Sequence, residues 1–288
     1  MVLVHAHPDD ETITCGGVMS LAAAAGVGVT LVTCTLGERG EVIPRELAHL
    51  EGTDALAAHR EGELAAACAA LGVADHRLLG GRGRWHDSGM VATGEGIRAA
   101  APADLEPGAF SHPEAVDEQV AQLVAVLEEV RPQVVVSYDA RGGYGHPDHV
   151  RAHEITGGAV ETVDPRGARI ALYACAAAHD AVAAGLETLR RRSWMPVAVP
   201  PVEDLPTVPD AAVTTRIPLG AGRVAKMAAL RAHATQISVL DDGREPPAFA
   251  LSNALAQPVL REECFTLLRG PGGAPGDLFP VRRDPTGT

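Results

Sequence analysis

The sequence predicts an α/β fold: a mostly parallel sheet with helices on both faces, plus a small C-terminal elaboration. Three observations carry this. Short apolar runs that read as buried strands alternate with longer helical patterns. That alternation implies right-handed crossovers between parallel strands. Two clusters of His and Asp each follow directly on one of the apolar runs.

Met1–His5 reads as the first strand, and it runs straight into "HAHPDDE" (His5–Glu11). A helix opens at the acidic motif and covers Thr12–Ala25. Val27–Cys34, rich in β-branched residues, is the second strand. The loop "TLGERGEVIP" (Thr35–Pro44) leads to a helix over Leu56–Leu71 and a short third strand at His76–Leu79. Between Gly80 and His112 the pattern dissolves into Gly, Arg, Asp and Pro, the kind of irregular segment that lines sites. Pro113–Pro132 is a helix with Pro at its start and Pro just past its end. Gln133–Asp139 is the fourth strand and Ile170–Cys175 a fifth. Beyond them come a helix near Ala181–Arg192, a Pro-rich stretch (Pro196–Pro209), a strand near Val213–Ile217 and a helix over Ala221–Ala234. Residues 1–175 are expected to form the core that carries the site. Residues 176–288 are expected to form an elaboration packed on it, within one structural domain.

Composition narrows the function. The 288 residues are 46% hydrophobic, enough to bury a core, but only 3% aromatic, so that core must be built mainly of Ala, Val and Leu. Thirty-seven acidic against 24 basic residues give a net charge of −13, which opposes binding to nucleic acid. The one dense basic cluster, Arg190–Arg192, has no interleaved aromatics and reads as a helix end. Cys15, Cys34, Cys68, Cys175 and Cys264 are scattered and odd in number, so they are expected to be reduced. The longest apolar stretch, Leu21–Leu36, is too short to span a bilayer. A cytoplasmic protein with no membrane partner is the expectation.

In a doubly wound sheet, the first strand lies beside the fourth, and ligands bind at the carboxyl ends where the order reverses. "HAHPDDE" after strand one and "GGYGHPDH" (Gly142–His149) after strand four then converge. Acidic residues packed this closely repel unless a cation sits among them. Hydrolytic zinc sites use three His, Asp or Glu ligands and keep one position open, and His7, Asp10 and His149 could supply such a set. Asp9 is then left free beside the ion, placed as a general base. His146, three residues before His149, could act from the opposite side of the reacting carbon, in protonated form. Asp148, in the first turn of the following helix, and His153, one turn beyond His149, are assigned supporting roles. Arg60 lies on the apolar stripe of its helix with Leu56, Leu64, Cys68 and Leu71. It either snorkels to solvent or points into the pocket as a donor to substrate. A nucleotide-binding module would need a Gly-rich phosphate loop after the first strand, where this chain has His-Pro-Asp-Asp.

"HAHPDDE" with "GGYGHPDH" resembles the PIG-L/LmbE-like family of metal-dependent N-acetylglucosaminide deacetylases. "VTCTLGERGEVI" (Val32–Ile43), "GRWHDSGM" (Gly83–Met90) and "AKMAALRAHATQI" (Ala225–Ile237) are similar to its branch acting on N-acetylglucosaminyl-inositol in mycothiol biosynthesis. The resemblance implies a Rossmann-like fold, zinc (with Fe2+ suiting the same ligands) on His7, Asp10 and His149, and Asp9 as base. It further implies Tyr144 and His146 at the transition state, and Arg60, Glu41 and Asp87 as contacts to a small glycoside. A sister activity, mycothiol S-conjugate amidase, would use the same metal centre. Ala140-Arg141 replaces the Pro-Asn-like turn expected there and adds charge at the rim.

Overall fold

Strands that are apolar throughout must be covered on both faces, and one seven-stranded sheet does this. The computed structural model describes residues 1–93, 98–274 and 276–278. In chain order the first half holds β1 (Val2–His5), α1 (Asp10–Ala24), β2 (Thr30–Thr33), α2 (Asp54–Leu71), β3 (Asp75–Leu78), the hairpin strands β4 (Val91–Ala92) and β5 (Ala99–Ala100), and α3 (Val116–Val130). There follow β6 (Val134–Ser137), a short turn of helix α4 (Gly142–Gly145), α5 (Pro147–Val163), β7 (Ala171–Ala176) and α6 (His179–Arg190). The last part holds β8 (Thr215–Pro218), α7 (Gly222–Ala232), β9 (Ser238–Leu240), β10 (Ala248–Ala250), β11 (Gln257–Pro258) and β12 (Glu262–Arg269).

The main sheet has the order β3-β2-β1-β6-β7-β12-β8. β1, β2, β3, β6 and β7 are parallel, and β12 is antiparallel to both its neighbours. The winding reverses between β1 and β6, so the two polar motifs leave the sheet side by side. Alternate side chains of β1 serve opposite faces. Leu3 packs with Val18 and Met19 of α1, Leu64 and Leu71 of α2, and Ala229 of α7. Val2 and Val4 pack with Leu123 and Leu127 of α3 and Ile155 and Ala159 of α5.

The C-terminal part holds more strand than the sequence suggested. β12 (Glu-Glu-Cys-Phe-Thr-Leu-Leu-Arg) has no clean alternation, yet it inserts between β7 and β8. β9, β10 and β11 form a separate antiparallel sheet from strands of two or three residues, too short for any periodicity to mark. The β4–β5 hairpin interrupts the segment expected to be irregular, whose residues 94–97 lie outside the described ones. Residue 175 falls inside β7, and β8, β12 and α7 beyond it belong to the same sheet and its cover. Residues 279–288 of the expected elaboration lie outside the described residues. No helix among the described residues is long and apolar enough to cross a membrane.

A buried ion pair ties this late segment to α1. Lys226 Nζ donates to Glu263 Oε1 and to the Ile13 carbonyl, each at 2.7 Å. Glu263 in turn accepts from the amides of Gly17 and Val18 at 2.9 and 2.8 Å. In a regular helix the Gly17 amide would bond the Ile13 carbonyl; here both groups have a charged partner. Both side chains are buried, so removing one partner leaves an uncompensated charge. Lys226→Met should therefore destabilise the protein by about 3–5 kcal/mol in denaturant unfolding. A loss below about 1 kcal/mol would mean that Glu263 finds water or a proton without its lysine.

Candidate metal centre

At the carboxyl end of β1 the chain turns sharply into α1, with Asp9 as its N-cap and Asp10 its first residue. The turn delivers the Asp10 carboxylate between two imidazoles. Asp10 Oδ2 lies 3.3 Å from His7 Nδ1 and 3.2 Å from His149 Nε2. Bonds of about 2.0–2.1 Å to one tetrahedral ion would put ligand atoms roughly 3.3–3.4 Å apart. Asp10 Oδ2 thus stands at ligand spacing from each of the two imidazole nitrogens.

Each ligand is also held from behind. His149 Nδ1 lies 3.3 Å from the Gly142 carbonyl, which can only accept, so the proton sits on Nδ1 and Nε2 keeps its lone pair. That Nε2 is buried and has no hydrogen-bond partner. His7 Nε2 lies 3.2 Å from Asp148 Oδ2 and 3.7 Å from Asp87 Oδ1, the carboxylate backing typical of a ligating imidazole. Asp10 Oδ2 accepts from the His7 amide at 3.0 Å and from the Tyr138 hydroxyl at 2.7 Å. Among the described residues, the groups whose ligand atoms all lie within 4.8 Å of one another are His7 with His146 and His149, and His7 with Asp87 and Asp148; neither includes Asp10. The second is the support of the His7 ring. In the first, His146 Nδ1 is already engaged by the Asp148 amide at 3.1 Å.

Two imidazoles and a carboxylate fit a small divalent cation, and the electrostatics ask for one. Burial alone would push the His7 ring down, yet Asp87, Asp10 and Asp148 hold it well above the usual imidazole range. Burial would raise Asp10, but His149 and His7 hold it well below the carboxylate range. Asp9 differs. Burial, its largest influence, pushes its carboxyl up to about 7 against the pull of Arg60, a value suited to taking a proton from water.

His146 caps α5 through Nδ1, which accepts the Asp148 amide. Burial, together with His7 and His149, pushes its ring down to about 2. The expectation of a protonated His146 is thereby corrected: the ring is neutral, and its proton sits on Nε2. The Tyr144 ring stands edge-on to His149 at 5.1 Å. Burial pushes its hydroxyl up, so it remains a donor. His5 is fully buried beside Tyr138, and burial pushes it down to about 4.

Arg60 is 3% exposed, and neither sequence alternative describes it fully. Nη1 donates to the Gly37 carbonyl and Nη2 to the Pro8 carbonyl, each at 2.5 Å, with Asp9 Oδ2 at 3.4 Å. These donors join the two loops at the site. Glu41 is exposed at the rim of a cavity of about 880 Å³ that also takes in His7, Asp9 and Tyr144. Asp87 is buried in its wall and accepts from the Gly89 amide at 2.8 Å; against the effect of burial, His7 holds it well below the carboxylate range.

Sequence reasoning missed Tyr138. Its hydroxyl accepts from the Ala6 amide at 2.9 Å and donates to Asp10, while its ring stacks on His149 at 4.2 Å and 16°. The signal was its place, at the carboxyl end of the fourth buried strand. His153 Nδ1 lies 2.9 Å from the Tyr138 carbonyl and so supports the same residue.

A model of the PIG-L family, described as GlcNAc-PI de-N-acetylase, matches residues 2–160. The 1D-myo-inositol 2-acetamido-2-deoxy-alpha-D-glucopyranoside deacetylase of Saccharomonospora viridis is 51% identical over 282 residues, covering 97% of this chain and 99% of that one. A relative of the same name from Actinosynnema mirum is 48% identical over 284 residues, covering 97% and 95%. Among solved structures, the zinc-inhibited form of teicoplanin deacetylase aligns with a TM-score of 0.55 at 18% identity, over 94% of this chain and 99% of that one, a likeness of fold.

If the Tyr138 hydroxyl orients Asp10, Tyr138→Phe should weaken zinc affinity roughly 10–100-fold, read by chelator competition. Unchanged affinity would show that the amide of His7 suffices to hold the carboxylate.

Proposed function

The chain belongs to the PIG-L family, and from that premise we propose that it hydrolyses the acetamide of 1D-myo-inositol 2-acetamido-2-deoxy-alpha-D-glucopyranoside, yielding acetate and the free amine in mycothiol biosynthesis. One observation carries the reading: Asp10 is shared between His7 and His149, while the carboxylate of Asp9, the residue before it, faces Arg60 instead. Relatives bearing that activity in their names align with the chain almost end to end, which supports the substrate. The proposed compartment is the cytoplasm.

Zinc is the ion proposed for His7, Asp10 and His149; when bound it supplies a Lewis acid beside the acetamide and lowers the pKa of water. The chain's own residues do the rest. Asp9 takes a proton from the attacking water. As the carbonyl carbon becomes tetrahedral, its oxygen gains charge, and the Tyr144 hydroxyl and the His146 Nε2–H are the donors assigned to it. A neutral His146 has no spare proton for the leaving amine. The proton collected by Asp9 is therefore the one delivered as the C–N bond breaks, which gives the free amine and acetic acid; the acid then loses its remaining proton to water and leaves as acetate. Glu41 at the rim and ionised Asp87 in the wall are acceptors offered to sugar and inositol hydroxyls.

Purified protein loaded with zinc should release free amine from the acetylated disaccharide, with kcat/KM higher than for a mycothiol S-conjugate offered in parallel. A preference for the conjugate would overturn the biosynthetic substrate and leave the metal hydrolase standing. Asp9→Asn should retain zinc and lose about 10²–10⁴-fold in kcat. A loss under about tenfold would move the base role elsewhere. His149→Ala should lose both metal and turnover.

A further inference from the structure

The peptide bond between Pro8 and Asp9 joins the ligand turn to the proposed base, and Asp9 has φ 105° and ψ −34°. Side chains other than hydrogen rarely tolerate that backbone region. Something must hold it. The carbonyl of this peptide, Pro8 O, accepts from Arg60 Nη2 at 2.5 Å, and its amide, Asp9 N, donates to Glu11 Oε2 at 2.9 Å. Arg60 is 3% exposed and Glu11 is fully buried. A positive charge thus faces the oxygen end of one peptide dipole and a negative charge faces its N–H end. Flipping the plane would set carbonyl against carboxylate and amide against guanidinium, both repulsive at low local dielectric.

Each charge is anchored in turn. Arg60 also holds the Gly37 carbonyl, and a Cβ at Gly37 would fall 2.1 Å from Arg60 Nη1, so only glycine leaves room for the guanidinium. Glu11 Oε1 accepts from Thr12 Oγ1 at 2.5 Å and lies 2.8 Å from Nε2 of His233, a fully buried residue just past the end of α7. His233 belongs to "AKMAALRAHATQI", a segment the reaction scheme leaves without a task.

We infer that Arg60, Glu11 and His233 are positioning residues that clamp the Pro8–Asp9 peptide between opposite charges and so aim the Asp9 carboxylate at the reacting water. This rests on the reading of Asp9 as base. Loss of the clamp should cost kcat and spare KM and zinc content.

The test is Glu11→Gln, made in the wild type and in Asp9→Asn. Glutamine keeps the shape but removes the negative charge that faces the Asp9 amide, and it puts an NH2 donor where Glu11 Oε1 accepts from Thr12. In the wild type, kcat should fall about 10²-fold, the scale of an ångström's misplacement, with KM within about threefold and zinc content unchanged. In Asp9→Asn the same change should cost less than about twofold, because aim no longer matters once the base is gone. Equal losses in both backgrounds, or a matching loss of zinc, would overturn the clamp. Should Glu11→Gln not fold, Arg60→Lys replaces it in the same cycle, since one ammonium cannot span both carbonyls. A raised KM with unchanged kcat would then make Arg60 a substrate contact and overturn the inference. A crystal structure of either variant reads the clamp without any turnover: Asp9 should relax to negative φ, and a φ still near 105° would overturn the inference. Wild-type protein inactive on the disaccharide would defeat the deacetylase reading alone.

Discussion

Everything at the head of this sheet follows from burying carboxylates together. Asp9, Glu11, Asp87 and Asp148 are each 8% exposed or less, and Asp10 sits among them. Such a group is tolerable only if every member has a cationic or hydrogen-bonding partner. The chain divides the task. Arg60 faces Asp9, His233 faces Glu11, and the rings of His7 and His149 flank Asp10. Asp148 and Asp87 are left to the far nitrogen of His7. The proposed ion completes the set, and its place is marked by Nε2 of His149, which makes no hydrogen bond although Asp10 Oδ2 lies 3.2 Å away.

The same constraint explains why the fold is wound as it is. Residues carrying this much charge cannot come from one segment without long polar loops. The reversal between β1 and β6 instead brings together two short motifs separated by well over a hundred residues, each fixed at the end of a fully buried strand. The backing groups come from further elements: Asp87 from the loop after β3, Tyr138 from β6's own end, and His233 from the end of α7. Rigid surroundings of this kind suit a reaction that depends on preorganised donors.

Much of this was legible in the sequence. The neighbourhood of His7, Asp10 and His149 follows from strand order, and strand order follows from the alternation of apolar runs and helices. Arg60 was visible as a charge on an apolar stripe, but its partners were not, because Pro8 and Gly37 offer backbone carbonyls that leave no trace in residue type. Glu11 and His233 meet across a separation of 222 positions, and no local pattern announces such a pair. The neutral state of His146 is set by burial, a tertiary property. β9, β10 and β11 escaped notice because two or three residues cannot display a period. β12 escaped because its burial does not alternate: Glu263, Cys264 and Phe265 are buried in succession, with polar residues on either side.

β12 is the last strand among the described residues, yet it lies inside the sheet, and its Glu263 is bonded to the amides of the helix that carries Asp10. The ligand-bearing turn is therefore held by a contact of very long sequence separation, and such contacts form slowly. Residues 1–160 can pair their parallel strands early, but α1 awaits a partner about 250 residues downstream. A change that loosens β12 from the sheet would thus be felt at the turn bearing Asp10 without touching any of the proposed ligands.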